Sequence, residues 1–414
     1  MKSETVISSD LRRDGLMFKL QTHYDVMVVG AGPAGLMAAR KAAEGGADTL
    51  LLEKERRLGV KPCGEGVSLS TLADAGLGFT GRYAVHTVRG AHVVAPDGVS
   101  KVTLNATDFT AAGRGGGTII DKPVFLEELA AKAVASGVQL VISAGVEDVE
   151  MSEEDLAVSY SVMGQRTVSR AKVVIGCDGV GSLVAKKYFS RPSYELVSGL
   201  QYVMANCEFP EEDMLYFYFG SQVAPRGYVW VFPKGEGYAN VGLGVRGAPA
   251  KPYLDKFVHA HPEVFRSSTV IGIGAATIPV GGLVSTIAAD RLLLAGDAAG
   301  QVIPLTGGGI HASLMGGALA GQVAAESIEV GDQSARFLKA YEERYRDPWG
   351  RRIERSLKAM RTMEKLSDDD LNGLASVLTG EDILDLANGL NTVRVAAKLL
   401  KHPAFALKVA KALA

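Results

Sequence analysis

The chain is short of cysteine, of net charge and of long apolar runs, and each shortage removes a class of protein. Three cysteines, Cys63, Cys177 and Cys207, lie scattered through 414 residues. They are too few for a disulfide framework or a cysteine metal cluster, as suits a reducing cytoplasm, and no metal site is expected. A formal net charge of −2 gives no support for a nucleic-acid partner. The nearest candidate for a membrane span, 309–325, is uncharged but contains His311, Ser313, Gln322 and four glycines. It falls short of the roughly 20 apolar residues a bilayer span needs, and its glycine and alanine content predicts a helix packed against something close. Residues 1–22 hold no apolar core of signal-peptide length, and Asp10, Arg12, Arg13 and Asp14 interrupt them; a polar, frayed extension is expected. No internal repeat is visible. What remains, 47% hydrophobic and 22% charged residues, describes a globular protein large enough for two or three structural units.

Residues 25–53, DVMVVGAGPAGLMAARKAAEGGADTLLLE, organise the rest. A short apolar run suited to a buried parallel strand ends at Gly30-Ala31-Gly32-Pro33-Ala34-Gly35, which opens an alanine-rich helical pattern. A second apolar run ends at Glu53, 18 residues after Gly35. This is a βαβ unit for a dinucleotide. Gly30 permits the tight turn, Gly32 admits a pyrophosphate to the backbone, and Gly35 lets helix and strand pack closely. The helix N-terminus faces the phosphates, and Glu53 is placed to accept from ribose hydroxyls.

Beyond Glu53 a charged turn with Lys54, Arg56, Arg57 and Lys61 reads as a solvated rim, followed by Pro62-Cys63-Gly64-Glu65-Gly66, where two glycines mark a sharp bend or a close approach. Residues 85–104 carry a hairpin signal at Pro96-Asp97-Gly98, 113–117 is a glycine-rich connection, and Asp121-Lys122-Pro123 starts an amphipathic helix. An apolar strand ends at Asp178-Gly179. Residues 197–245 read as antiparallel sheet, in which Tyr228, Trp230 and Phe232 share one face. That face is either ordinary core or the wall of an apolar cavity. A last apolar strand runs into Gly296-Asp297, and Pro304-Leu305-Thr306-Gly307-Gly308-Gly309 leads into a helix. Everything after Gly331 reads as helical.

The glycine motif at Gly30, the Asp178-Gly179 pair and Gly296-Asp297 resemble, in order and spacing, the three FAD signatures of flavoproteins with the p-hydroxybenzoate-hydroxylase-type fold, over about residues 24–343. The resemblance implies an α/β chain: a Rossmann-type FAD-binding domain, an inserted antiparallel β-sheet substrate domain and C-terminal helices. The expected division is an extension over 1–22, an FAD-binding domain from 23–84, 105–190 and 276–330, a substrate domain from 85–104 and 191–275, and a helical region over 331–414. It also implies that Asp297 holds a ribitol hydroxyl and that Asp178 and Gly179 lie near the pyrophosphate, with Gly30, Gly32, Ala34, Gly35, Glu53, Lys54, Cys63 and Gly64 completing the cofactor contacts. Gly307, Gly308 and Gly309, at a positive helix end, suit the negative charge of a reduced flavin ring.

Within that superfamily, the stretch from Lys61 to Gly66, the Y-x-W-x-F-P run at Tyr228 and the Gly307 loop look like geranylgeranyl reductases. The resemblance implies saturation of prenyl double bonds by hydride from reduced FAD and a proton from a nearby acid. Cys63, Tyr228 and Trp230 are the catalytic candidates, and Tyr228, Trp230, Phe232 and Gly307 the substrate contacts. Glu65 is a weaker proton-donor candidate, Cys63 has the alternative of a packing thiol, and His311 reads as a packing histidine. One departure is Lys122, where aromatic hydroxylases commonly carry arginine; no role is carried over to it. The substrate would be a prenylated lipid or prenyl diphosphate. With no second G-x-G-x-x-G, the electron donor, whether NAD(P)H, a ferredoxin or a reduced deazaflavin, would visit transiently. Arg394, Lys398 and Lys401 share a helical face, which reads either as a peripheral membrane contact or as a capping helix. A monooxygenase or halogenase of the same fold, and a non-catalytic FAD sensor, are the competing readings.

Overall fold

The strand His23–Val29, buried over most of its length, lies parallel to Thr49–Glu53 on one side and to Gln165–Gly176 on the other. The computed structural model describes residues 10–13, 16–105, 116–189 and 194–402. Gln139–Ile142 extends this sheet beyond Thr49–Glu53, also in parallel. Leu292–Leu294 pairs in parallel with Gln165–Gly176, and Ala144–Met151 and Leu156–Val162 complete an antiparallel edge. The parallel strands are continuous apolar runs because helices cover them. Helix Pro33–Glu44 packs on that sheet and along helix Ile310–Val330, as the small-residue content of 309–325 predicts. The two helices touch through glycine: a Cβ on Gly317 or Gly321 would lie 2.0 or 2.1 Å from the carbonyl oxygens of Ala34 and Ala38.

The second sheet runs in the order Thr269–Pro279, Leu196–Ala205, Tyr238–Val245, Tyr228–Gly235, Met214–Tyr218, Gly90–Val94, Lys101–Leu104. The expected all-antiparallel pattern is corrected at one junction, where Met214–Tyr218 and Gly90–Val94 pair in parallel. The long connection between these strands lets them run in the same direction, which a tight hairpin cannot. The segment 85–104 also divides. Ala84–Val88 joins Gly117–Ile120 and Gly66–Ser68 in a separate three-stranded sheet, and only the part from Gly90 onward enters the larger one, turning back at Asp97 as its hairpin signal predicts. Strand Thr269–Pro279 continues past 275, so its last residues reach the cavity described below. A separate core under this sheet gathers Val229, Val231, Val241 and Leu243 with Leu254 and Phe257 of helix Ala250–Ala260.

Within the segment expected to fray, Asp10–Arg13 and Leu16–Lys19 pair as an antiparallel hairpin. Residues 113–115 of the glycine-rich connection lie outside the described residues. The C-terminal part is helical as expected. Asp368–Ala375 and Gly380–Ala387 each begin with a reciprocal capping box, from Ser367 with Asp370 and from Thr379 with Asp382. In helix Thr392–Leu400, Arg394 lies 2.8 Å from Asp385, and Lys398 lies 2.5 Å from the buried Asp382. Two of the three cations of the basic helical face are thus paired with acids of the neighbouring helix. Among the described residues no helix is long and apolar enough to cross a membrane.

Candidate active site

Three distant glycine motifs meet at one point because each backbone approaches another. Gly30 has φ +96°, and a Cβ there would lie 2.6 Å from the Cys177 carbonyl oxygen, next to Asp178. Gly35 would meet the Gly30 carbonyl at 1.8 Å, and Gly296, at φ +68°, would meet Ala34 at 3.0 Å. Around Gly32 there is open space, which leaves the backbone accessible. Ala31 N–H donates to Glu53 Oε2 at 2.7 Å and Glu55 N–H to Oε1 at 2.8 Å. Each carboxylate oxygen therefore has a backbone partner and keeps capacity for a ribose hydroxyl. Helices Pro33–Glu44 and Ile310–Val330 both start at the cavity with no side-chain cap, whereas Asp121 caps the helix Lys122–Ala135. Uncapped helix ends present unpaired amides.

Asp178 and Asp297 both line this cleft. Asp178 Oδ2 accepts from Leu183 N–H, while Oδ1 is buried with no partner among the described residues. Burial pushes its carboxyl upward from the ordinary value. An orphaned buried acceptor beside open glycine backbone fits a hydroxyl-rich dinucleotide better than a finished protein core. Asp297 Oδ2 holds Lys61 Nζ at 2.5 Å, so one rim lysine reaches into the cleft. The three glycines of the last loop differ from one another. Gly307 N–H donates to Ile303 and Gly308 N–H to Thr306 Oγ1, so the open amides belong to Gly309 and the first turn of its helix.

The Cys63 loop closes on the aromatic strand. A Cβ on Gly64 would lie 2.8 Å from the Phe232 ring and 3.5 Å from Trp230, and one on Gly66 3.2 Å from Phe232. Tyr228, Trp230 and Phe232 share a face that lines the cavity, joined by Phe217 and Phe219, whose rings lie 5.3 Å from Phe232 and 5.5 Å from Tyr228. The polar tips of the wall are turned into the chain: Tyr228 OH donates to the Thr306 carbonyl, and Trp230 Nε1–H donates to Gln201 Oε1 at 3.2 Å. Burial also raises the Tyr228 phenol well above its ordinary range. The wall therefore offers ring faces, and the hydroxyl of Tyr228 is committed elsewhere.

Cys63 lies at the junction. Burial raises its thiol from the ordinary value, with the Lys122 ammonium opposing, so it stays protonated near neutral pH. Lys122 is itself buried, which lowers its ammonium, and it donates through Nζ to the Lys61 carbonyl. The Glu65 carboxylate lies 2.6 Å from Lys234 Nζ and accepts from Asn240 at 2.7 Å. His311 pairs with Asp74 at 2.7 Å, and its ring lies edge-on to Trp349 at 4.8 Å. Cys177 lies against the glycine motif and Cys207 is buried in the second core. Sequence reasoning missed Lys122, Lys234, Asn240 and Gln201 as site neighbours. For Lys234 a signal existed, since strand alternation puts it on the same face as Phe232.

One cavity of about 1150 Å³ connects these parts, from Gly30 and Glu53 past Cys63 and Trp230 to Met360, Leu366 and Leu371 of the C-terminal helices. It exceeds the roughly 300–1,000 Å³ of ordinary small-ligand pockets, which leaves room for a second, apolar ligand beside a dinucleotide.

Residues 23–201 match the FAD binding domain family, and residues 195–278, which include the aromatic strand, match the geranylgeranyl reductase catalytic domain family. The chain is 37% identical over 402 residues to digeranylgeranylglycerophospholipid reductase 2 of Methanopyrus kandleri, across 94% of this chain and 98% of that one. A crystal structure described as geranylgeranyl bacteriochlorophyll reductase-like, from Thermoplasma acidophilum, superposes with a TM-score of 0.83 at 31% identity, covering 95% and 99% of the two chains. A flavin-dependent brominase, at TM-score 0.71 and 18% identity over 89% of this chain and 94% of its own, shares the fold alone. By class, then, the molecule is an FAD-dependent oxidoreductase. It belongs to the geranylgeranyl reductase family, among relatives named as digeranylgeranylglycerophospholipid reductases.

Proposed function

We propose that the protein saturates carbon–carbon double bonds in the geranylgeranyl chains of an archaeal-type ether phospholipid. The observation that carries this reading is the placement of Cys63: its loop is pressed against Phe232 and Trp230, inside a cavity continuous with the dinucleotide motifs. FAD, when bound, supplies a hydride. Gly30, Gly32 and Glu53 would hold its adenosine half, Asp178 and Asp297 its middle, and the Gly309 helix end its ring.

The chain's own residues supply the rest. Tyr228, Trp230 and Phe232 present ring faces to the alkene and exclude water, and such faces tolerate developing positive charge. Cys63 holds a thiol proton for one alkene carbon while the other carbon takes the hydride. Lys122, close by, favours the thiolate left behind. The electrons come from a donor that visits transiently, for which NAD(P)H, a ferredoxin or a reduced deazaflavin are the chemical choices.

The test is anaerobic incubation of chemically reduced holo-protein with digeranylgeranylglycerophospholipid, followed by mass spectrometry. Each saturated bond adds the mass of two hydrogens. No mass gain under these conditions, with oxygen-dependent product in air, would favour the oxidative chemistry of the fold's other members. Cys63→Ala with FAD retained is expected to lose at least about 100-fold in turnover; unchanged turnover removes Cys63 from the reaction.

A further inference from the structure

We propose that Glu65 is a positioning residue, whose carboxylate ties the Cys63 loop to the substrate sheet through Lys234 and so aims the Cys63 sulfur. The proposal rests on the reading that Cys63 faces the prenyl chain. Glu65 stands between Gly64 and Gly66 and has φ +71°, a conformation that side chains other than glycine seldom adopt. Glycine would adopt it without strain, as its neighbours can, so a glutamate here points to use of the side chain.

The side chain is fully engaged. Oε1 accepts from Lys122 N–H at 3.0 Å, at the start of the helix Lys122–Ala135. Oε2 accepts from Lys234 Nζ at 2.6 Å and from Asn240 Nδ2 at 2.7 Å, on adjacent strands of the substrate sheet. The backbone is held as well: Ile120 N–H donates to the Glu65 carbonyl at 2.9 Å. Glu65 N–H donates to Cys63 Sγ at 3.3 Å, and the direction of that N–H is fixed by the positive φ.

Two contacts on one strand therefore pinch the loop. Phe232 packs on Gly64 and Gly66, and Lys234, two residues along, takes the Glu65 carboxylate. The ion pair is shielded, with the Lys234 and Glu65 side chains 20% and 12% exposed, so it holds geometry better than a surface pair would. Breaking it leaves the loop held on that strand by the Phe232 contact alone. The sulfur then moves relative to the aromatic wall and loses its amide donor.

The test compares full-length holo-protein with Glu65→Gln, Lys234→Met and the double variant. The first readout is the rate at which iodoacetamide alkylates Cys63, followed by peptide mass spectrometry; the second is kcat and KM with the prenyl phospholipid. Each single variant is expected to alkylate at least about 5-fold faster than wild type. Each is also expected to lose about 10-fold or more in kcat, with KM within about 2-fold. The double variant should be no worse than the worse single, because residues acting as one unit are non-additive. Wild-type alkylation rates in both singles overturn the proposal, whatever happens to kcat, since any damage would then bypass Cys63. Additive losses in the double variant overturn it too. Should Glu65→Gln fail to accumulate as folded protein, Lys234→Met decides alone by the same criteria. A wild-type enzyme inert toward prenyl lipid would defeat the proposed function, while the alkylation comparison would still decide the role of Glu65.

Discussion

The Gly30–Gly35 loop and the Cys63 loop face the same cavity, yet their glycines answer to different neighbours. In the first, the tightest contact is internal: Gly35 would meet the carbonyl of Gly30. In the second, Gly64 and Gly66 are held small by Phe232, a residue from another sheet. The first loop works through backbone amides and a helix end, with Gly30 pressed as well on the Cys177 carbonyl at the end of the neighbouring parallel strand. The second has its shape only when the substrate sheet is in place. The glycine motif is closed by contacts within the parallel sheet, whereas the Cys63 loop is shaped by a residue of a second sheet.

The contrast breaks most severely at Gly35. A Cβ there overlaps backbone that cannot yield, so Gly35→Ala is expected to cost about 3 kcal/mol or more and to give protein that neither accumulates normally nor retains flavin. Size-exclusion chromatography with flavin absorbance checks this; a soluble, FAD-loaded Gly35→Ala would show that the loop tolerates movement. Gly64→Ala should be milder, because its obstacle is a ring edge on a side chain. We expect FAD to be retained, stability to fall by about 1–3 kcal/mol, and turnover to drop. Adding Phe232→Leu should recover part of the stability, since the clash is removed with the ring. Thermal melts of the two singles and the double measure the coupling. Strict additivity would mean that Gly64 is constrained by something other than Phe232.

The same distinction explains what was legible in the sequence. The βαβ unit, the Asp178-Gly179 and Gly296-Asp297 turns and the shared face of Tyr228, Trp230 and Phe232 follow from local spacing, and the structure brings them to one cavity. The parallel pairing of Met214–Tyr218 with Gly90–Val94 was hidden because pattern along a strand does not encode its neighbour. Lys122, Asn240 and Gln201 were hidden for a similar reason: each acts through a partner far along the chain, and neither composition nor periodicity marks such pairs. For the basic face at Arg394 and Lys398 spacing gave the shared face but not the partners, which are acids of the preceding helix.

Tyr228 sharpens the comparison with the smallest expected effect. It stands at the far end of the aromatic strand from Lys234, and its hydroxyl donates to the Thr306 carbonyl at the entrance to the Gly307 loop. The strand is thus tied at one end to the Cys63 loop and at the other to the loop that would hold the flavin ring. Tyr228→Phe keeps the ring face and removes only the tie. The lost hydrogen bond is worth about 1 kcal/mol, a shift of about 2–4 °C or less in melting temperature for a chain of this size. FAD should stay bound and turnover should fall by less than about tenfold, because burial already keeps the phenol from giving up its proton. A loss beyond about 100-fold with flavin retained would place the hydroxyl in the reaction, and the wall could no longer be treated as ring faces alone.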